Sequence, residues 1–189
     1  MRIPRLITIL LPAVLMLALF SGDAQTAFAY DLTKVKNPSF EKDTNGDGIP
    51  NAWSDAGLTA KDKRVCNQSY AGACSFKMVG NNTDKYLWQM TLYSSGPAGV
   101  EETLSLYAKG NNIVEGDEWA GVWLEFDQTD GGSDWFFVGI PAGNSGWTLR
   151  QVSGTATEPF SSISVWLDMR ATSGKMWVDL VDVNWTGGP

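Results

Sequence analysis

Between Cys74 and Trp185 apolar residues do not recur at helical spacing; they alternate with polar ones. Gly, Asn, Asp and Ser clusters interrupt the pattern at short intervals, and the runs between them are rich in Val, Trp, Phe, Tyr and Thr. Alternation places successive side chains on opposite faces of a strand, and short alternating runs between turn residues leave a sandwich or barrel as the fold. The pattern predicts eight main strands, at 74–79, 86–92, 103–109, 119–127, 135–140, 147–152, 162–170 and 175–185, with shorter edge pieces near 34–37 and 52–55. No Pro- or Ser-rich linker divides this region, and no internal repeat stands out, so it reads as one domain.

The alternation also assigns faces. In 119–127, Ala120, Val122, Leu124 and Phe126 form one face; Trp119, Trp123, Glu125 and Asp127 form the other. In 162–170, Ile163, Val165, Leu167 and Met169 oppose Ser164, Trp166, Asp168 and Arg170. The aliphatic faces are core. The opposite faces mix tryptophan with charge, which a plainly solvated face rarely does. Eight strands suit an all-β jelly roll of two antiparallel sheets. Jelly-roll pairing puts 86–92, 162–170, 119–127 and 135–140 in one sheet, so Trp123 and Trp166 become neighbours beside Glu125, Asp168 and Arg170. Gln89 joins them if Trp88 and Met90 point inward. Trp53, Trp88, Trp147 and Trp177 read as core.

Ahead of the strands lies Asp43-Thr44-Asn45-Gly46-Asp47-Gly48-Ile49-Pro50-Asn51-Ala52-Trp53. Asp43, Asn45 and Asp47 set short oxygen-bearing side chains at alternate positions before a glycine, a donor pattern that suits calcium. The twelfth position is Ser54, so the loop is not an EF-hand. An ion-free turn rich in Asp and Asn is the alternative.

Arg2 and Arg5 precede an apolar run over 6–20, and Ala27-Phe28-Ala29 ends the following polar stretch. This is the layout of a secretory signal peptide at 1–29, cleaved after Ala29, with the domain at 30–189 and the protein secreted. Losing Arg2, Arg5 and Asp23 moves the net charge from −7 to −8. So acidic a domain is a poor partner for nucleic acid or anionic lipid. Cys66 and Cys74 are the only cysteines; in an exported chain the pair reads as a disulfide. The chain has no histidine, which excludes Ser-His-Asp and Cys-His catalysis and His-ligated zinc or copper.

Asn37-Pro38-Ser39-Phe40-Glu41 resembles the opening of the galactose-binding-domain-like β-sandwich carbohydrate-binding modules, those attached to many xylanases and glucanases. Lys175-Met176-Trp177-Val178-Asp179-Leu180-Val181 resembles their last strand, and Tyr70-Ala71-Gly72, Gln89 and Gly146-Trp147-Thr148 also fit the pattern in order. The resemblance implies a jelly roll with a structural calcium tying the N-terminal segment to the last strand. Glu41 and Asp179 would then be ligands, with Asp43, Asn45 and Asp47 in the acidic loop. It also implies poly- or oligosaccharide ligands, bound on a concave sheet face or at the edge loops.

The residues themselves favour the sheet face. Flat aromatics suit the apolar faces of sugar rings, and nearby polar groups suit their hydroxyls. The ligand-binding candidates are therefore Trp123, Trp166, Glu125, Asp168, Arg170 and Gln89, in a non-catalytic domain. Two alternatives remain: a self-associating subunit of a surface layer, filament or matrix, and a glycoside-active jelly roll using paired carboxylates.

Overall fold

The computed structural model describes residues 35–90, 95–116 and 119–187. The expected leader and its cleavage site lie outside the described residues. Ten strands form: β1 (Ser54–Ala56), β2 (Lys63–Val65), β3 (Ser75–Val79), β4 (Tyr86–Gln89), β5 (Glu101–Val114), β6 (Ala120–Gln128), β7 (Ser133–Gly139), β8 (Gly143–Thr155), β9 (Phe160–Met169) and β10 (Ser173–Gly187). One sheet runs β1-β4-β9-β6-β7 and the other β2-β3-β10-β5-β8, with every pairing antiparallel. The expected jelly-roll sheet of 86–92, 162–170, 119–127 and 135–140 is present as β4-β9-β6-β7.

The aliphatic phase of each strand fills the space between the sheets. Val122, Leu124, Phe126, Ile163, Val165, Leu167 and Met169 are completely buried. Each such side chain stabilises the fold by about 1.5–3 kcal/mol relative to exposure.

Some boundaries differ from the sequence reading. Residues 35–37 form no strand, whereas β2 arises in a stretch read as loop. Strand β5 runs on through Gly110-Asn111-Asn112, which reads as a turn. Two register shifts against β8 absorb these residues, and the Asn144 side chain accepts the Asn112 N–H. Ile113 can thus return to the core.

The N-terminal segment is clamped before the strands begin. Asn37 and Phe40 take positive φ angles of 50° and 57°. For a bulky Phe this conformation costs of order 1–3 kcal/mol and persists only where packing dictates it. Phe40 is fully buried, its ring 5.2 Å from Trp53 and 5.9 Å from Phe76. The Asn37 amide donates to the carbonyls of Lys42 and Asn51, closing the acidic loop at its base. Nearby, Lys85 and Asp62 form a wholly buried ion pair at 3.2 Å. Asp62 also accepts from the backbone of Thr59 and Val79, and Lys85 donates to the Val79 carbonyl. The Cys66–Cys74 disulfide forms as expected.

Candidate functional site

Sheet β1-β4-β9-β6-β7 carries a row of aromatic residues on its outward phase. Trp88 lies opposite Trp166, Trp166 opposite Trp123, and Trp123 opposite Phe137. Four neighbouring strands thus present four aromatic rings in register. Strands lie about 4.8 Å apart, so the row spans about 14 Å. Trp88 and Trp166 stack at 5.1 Å with planes 18° apart. Trp135 approaches Trp166 at 5.8 Å and Trp123 at 6.0 Å. Gly121 makes room for the row's far end: a Cβ there would stand 2.3 Å from the Phe137 ring. A cleft of about 440 Å³ opens here, lined by Tyr86, Trp119, Trp123, Trp135, Trp166, Asp168 and Arg170.

The carboxylates are wired to the indoles. Trp166 Nε1 donates to Glu125 Oε2 at 2.7 Å, and the Ser133 hydroxyl donates to Glu125 Oε1 at 3.1 Å. Trp119 Nε1 and Trp123 Nε1 both donate to Asp168 Oδ2, at 2.7 and 3.3 Å. These bonds fix the orientation of the three rings and engage their N–H groups. Arg170 closes one end. It lies over Trp119 at 4.7 Å and Tyr86 at 5.5 Å, donates to the Tyr86 hydroxyl, and approaches Asp168 at 3.4 Å and Asp84 at 3.3 Å. Burial pushes the Glu125 carboxyl above its ordinary range, offset in part by its bonds from Trp166 and Ser133. Burial does the same to Asp168, offset in part by Trp119, Arg170 and Trp123. Asp168 Oδ1 is buried and, among the described residues, has no hydrogen-bond partner.

The structure therefore brings Trp123, Trp166, Glu125, Asp168 and Arg170 to one face, but not Gln89. Gln89 is 5% exposed and faces the interior with Leu87. Its side chain accepts the Lys36 N–H and donates to the carbonyls of Lys36 and Ala52. Its amide serves backbone groups that would otherwise be buried unpaired, which sets the phase of β4. Trp88 consequently turns outward, with Met90 half exposed. Of the four tryptophans read as core, Trp53 and Trp177 are buried, whereas Trp88 and Trp147 are half-buried. Sequence reasoning missed Tyr86, Trp88, Trp135 and Phe137 as parts of this face. In 135–138 both phases are apolar, so alternation alone could not choose.

The oxygen-bearing candidates for a metal fall into two groups. In the acidic loop, Asp43 accepts from the N–H groups of Gly46 and Gly48, Asp47 accepts from Ile49, and Asn45 donates to Asp47. Glu41 and Asp179 instead grip the disulfide loop. Glu41 Oε1 accepts the N–H groups of Ala73 and Cys74, and Asp179 Oδ2 accepts those of Tyr70 and Ala71. Asp179 is fully buried; burial raises its pKa, its three backbone donors lower it, and the Glu41 charge adds to the rise. The strand bulges just beyond it, with Leu180 at φ 50°. Among the described residues, no three Asp, Glu, His or Cys side chains gather closely enough to hold a metal ion.

No protein family and no curated protein matches this sequence. Solved structures do match in fold. A xylan-binding CBM22-1 domain of Xyn10C from Paenibacillus barcinonensis aligns with a TM-score of 0.55 at 19% identity, over 84% of this chain and 96% of that one. TmCBM61, solved with β-1,4-galactotriose, aligns with a TM-score of 0.52 at 16% identity, over 80% of this chain and 97% of that one. The enzymatically active domain of bacteriophage CBA120 tailspike protein 4 aligns with a TM-score of 0.59 at 13% identity, over 82% of this chain but only 22% of that one. At such identities the likeness is one of fold, and at that level the resemblance to carbohydrate-binding β-sandwiches holds.

Proposed function

We propose that this domain binds a polysaccharide or oligosaccharide without cleaving it, across the face that carries Trp88, Trp166, Trp123 and Phe137. The single observation that carries this reading is the in-register aromatic row, at whose centre the Trp166 and Trp123 N–H groups are engaged by Glu125 and Asp168. Ring faces held this way stack on sugar rings. Arg170 supplies a hydrogen-bond donor for a ligand hydroxyl at the cleft end. The fold shared with carbohydrate-binding modules supports the same reading.

Catalysis by Glu125 and Asp168 fits the geometry poorly. Glu125 pairs with Ser164 and Asp168 with Gly121, four residues apart along the strands. That offsets their backbones by about 13 Å, whereas glycosidase carboxyl groups stand about 5–9.5 Å apart. Each is also turned to a different tryptophan.

Secretion fits a disulfide-bonded domain. A structural calcium is part of the proposal. Asp43, Asp47, Glu41 and Asp179 all accept main-chain N–H groups; Glu41 and Asp179 are the better ligands because an ion between them would join two distant parts of the chain. The two share one electrostatic field and, among the described residues, neither has an ion-pair partner. A cation there would neutralise both acids and tie the N-terminal segment to β10. Calcium needs six to eight oxygens, so main-chain oxygens and water would complete the shell.

Affinity gel electrophoresis against neutral xylan, glucan and galactan tests the binding reading. At least one should retard the protein with no release of reducing ends. No retardation by any neutral glycan, together with ordered polymers in electron micrographs, would instead support a structural subunit.

A further inference from the structure

The other sheet presents a different chemistry outward. Phe76 and Met78 of β3 and Met176 and Val178 of β10 are buried, which turns Lys77 and Lys175 to the outer surface; Trp177 shares their phase but is only 8% exposed, beneath Lys109. Lys63 of β2 lies directly opposite Lys77, Lys77 opposite Trp177, and Trp177 opposite Lys109 of β5. Lys175 sits two residues along, opposite Val79, and Lys61 lines a concavity of about 250 Å³ that also includes Val79. Five of the 14 basic residues in an acidic chain thus share one surface. Like charges directly opposite on neighbouring strands are destabilising. Lys77 shows the cost: burial lowers its pKa first, and Lys63 and Lys175 lower it further, with only Asp62 opposing.

Compensation is partial: the acidic loop packs against Lys63 at Gly48, but among the described residues no ion pair forms there. Asp62 is committed to the buried pair with Lys85. Asp179 is fully buried beneath the disulfide loop. Lys109 donates to Gln68 at 2.6 Å and lies over Trp177 at 5.6 Å, which positions its charge without neutralising it. Among the described residues, none of the five lysines forms an ion pair.

We infer that the outer face of β2-β3-β10-β5 is a second binding surface, for a linear carboxylate-bearing polysaccharide lying across the strands along the Lys63–Lys77–Lys109 row. Backbone positions along that row put Lys77 about 4.8 Å from Lys63 and Lys109 about 14 Å from Lys63, with Trp177 between Lys77 and Lys109. A polymer carrying an anion on each successive residue matches this layout better than a single compact anion. A flat anionic membrane would also meet Glu101 and Asp182, which face outward at the far end of β5 and β10. A chain confined to the row avoids both.

The test is affinity gel electrophoresis of the whole domain in polygalacturonate, with neutral xylan alongside. Polygalacturonate should retard the protein at low salt, and added salt should release it. The Lys63→Gln/Lys77→Gln double variant should bind roughly tenfold more weakly. Its melting temperature should hold or rise, since a repulsive pair is gone, so misfolding cannot explain the loss. Trp166→Ala should leave this retardation intact, which separates the surface from the cleft. The inference is overturned if polygalacturonate does not retard the protein, or if the double variant is retarded like the parent. It is equally overturned if inorganic polyphosphate or anionic vesicles bind and polygalacturonate does not.

Discussion

Trp166 sits at the centre of the aromatic row, and its removal separates stacking from scaffold. Its ring touches Trp88, Trp135 and Tyr86 at 5.1, 5.8 and 6.0 Å, and its Nε1 donates to Glu125. Aromatic pairs contribute about 0.5–1.5 kcal/mol each beyond area burial. The side chain is half-buried on an outer face, so Trp166→Ala removes contacts without opening a core cavity. The expected stability loss is about 3–5 kcal/mol, from the ring contacts and the donor to Glu125 together. A central aromatic anchor costs about 2 kcal/mol or more in binding when truncated, roughly 30-fold in affinity. Trp166→Phe reverses the emphasis. It keeps a ring in the row but withdraws the donor from the buried Glu125 carboxylate, costing about 1.5–3 kcal/mol of stability. Calorimetric titration with a glycan that retards the parent, paired with urea unfolding, reads both quantities. If Trp166→Ala binds that glycan as the parent does, the cleft is not the site. If Trp166→Phe loses binding as fully as Trp166→Ala, the indole N–H carries recognition and the stacking argument is wrong.

Three further outcomes follow from the same geometry. Glu125 and Asp168 have folded-state pKa values raised by burial; each contributes stability that is fully present below about pH 4 and lost as pH rises through the raised value. Between about pH 4 and 7 the melting temperature of a Glu125→Gln/Asp168→Asn variant should therefore fall less than that of the parent; an equal fall would mean these carboxyls do not titrate as argued. Lys85→Met should cost about 3–5 kcal/mol in urea unfolding, because Asp62 is left charged and buried, and a smaller loss would indicate that water reaches the pair. Chelation by EDTA should lower the melting temperature of the parent but not of Glu41→Gln/Asp179→Asn, and an unchanged parent melt would remove calcium from the proposal.

The phase of a strand was legible wherever one face was purely aliphatic. Ala120-Val122-Leu124-Phe126 and Ile163-Val165-Leu167-Met169 leave no choice, because the period-two pleat sends the intervening Trp123, Glu125, Trp166 and Asp168 outward. The reading failed where both phases were apolar, or where a polar side chain had an interior task. Gln89 looks like a surface amide in sequence, but it belongs inside because the backbones of Lys36 and Ala52 need partners there. Those partners lie 37 and 53 residues away in the chain, so no local pattern could announce them.

The sequence by itself thus determined an all-β sandwich, the sheet that gathers Trp123 and Trp166, and the disulfide, since alternation, turn residues and cysteine spacing are local properties. Only the tertiary structure decided the rest. It turned Trp88 into the row, aimed the indoles of Trp119, Trp123 and Trp166 at two buried carboxylates, and aligned Lys63, Lys77 and Lys109 on the opposite sheet. Each of these rests on the register between strands distant in sequence, which is set jointly by hydrogen-bond pairing and burial.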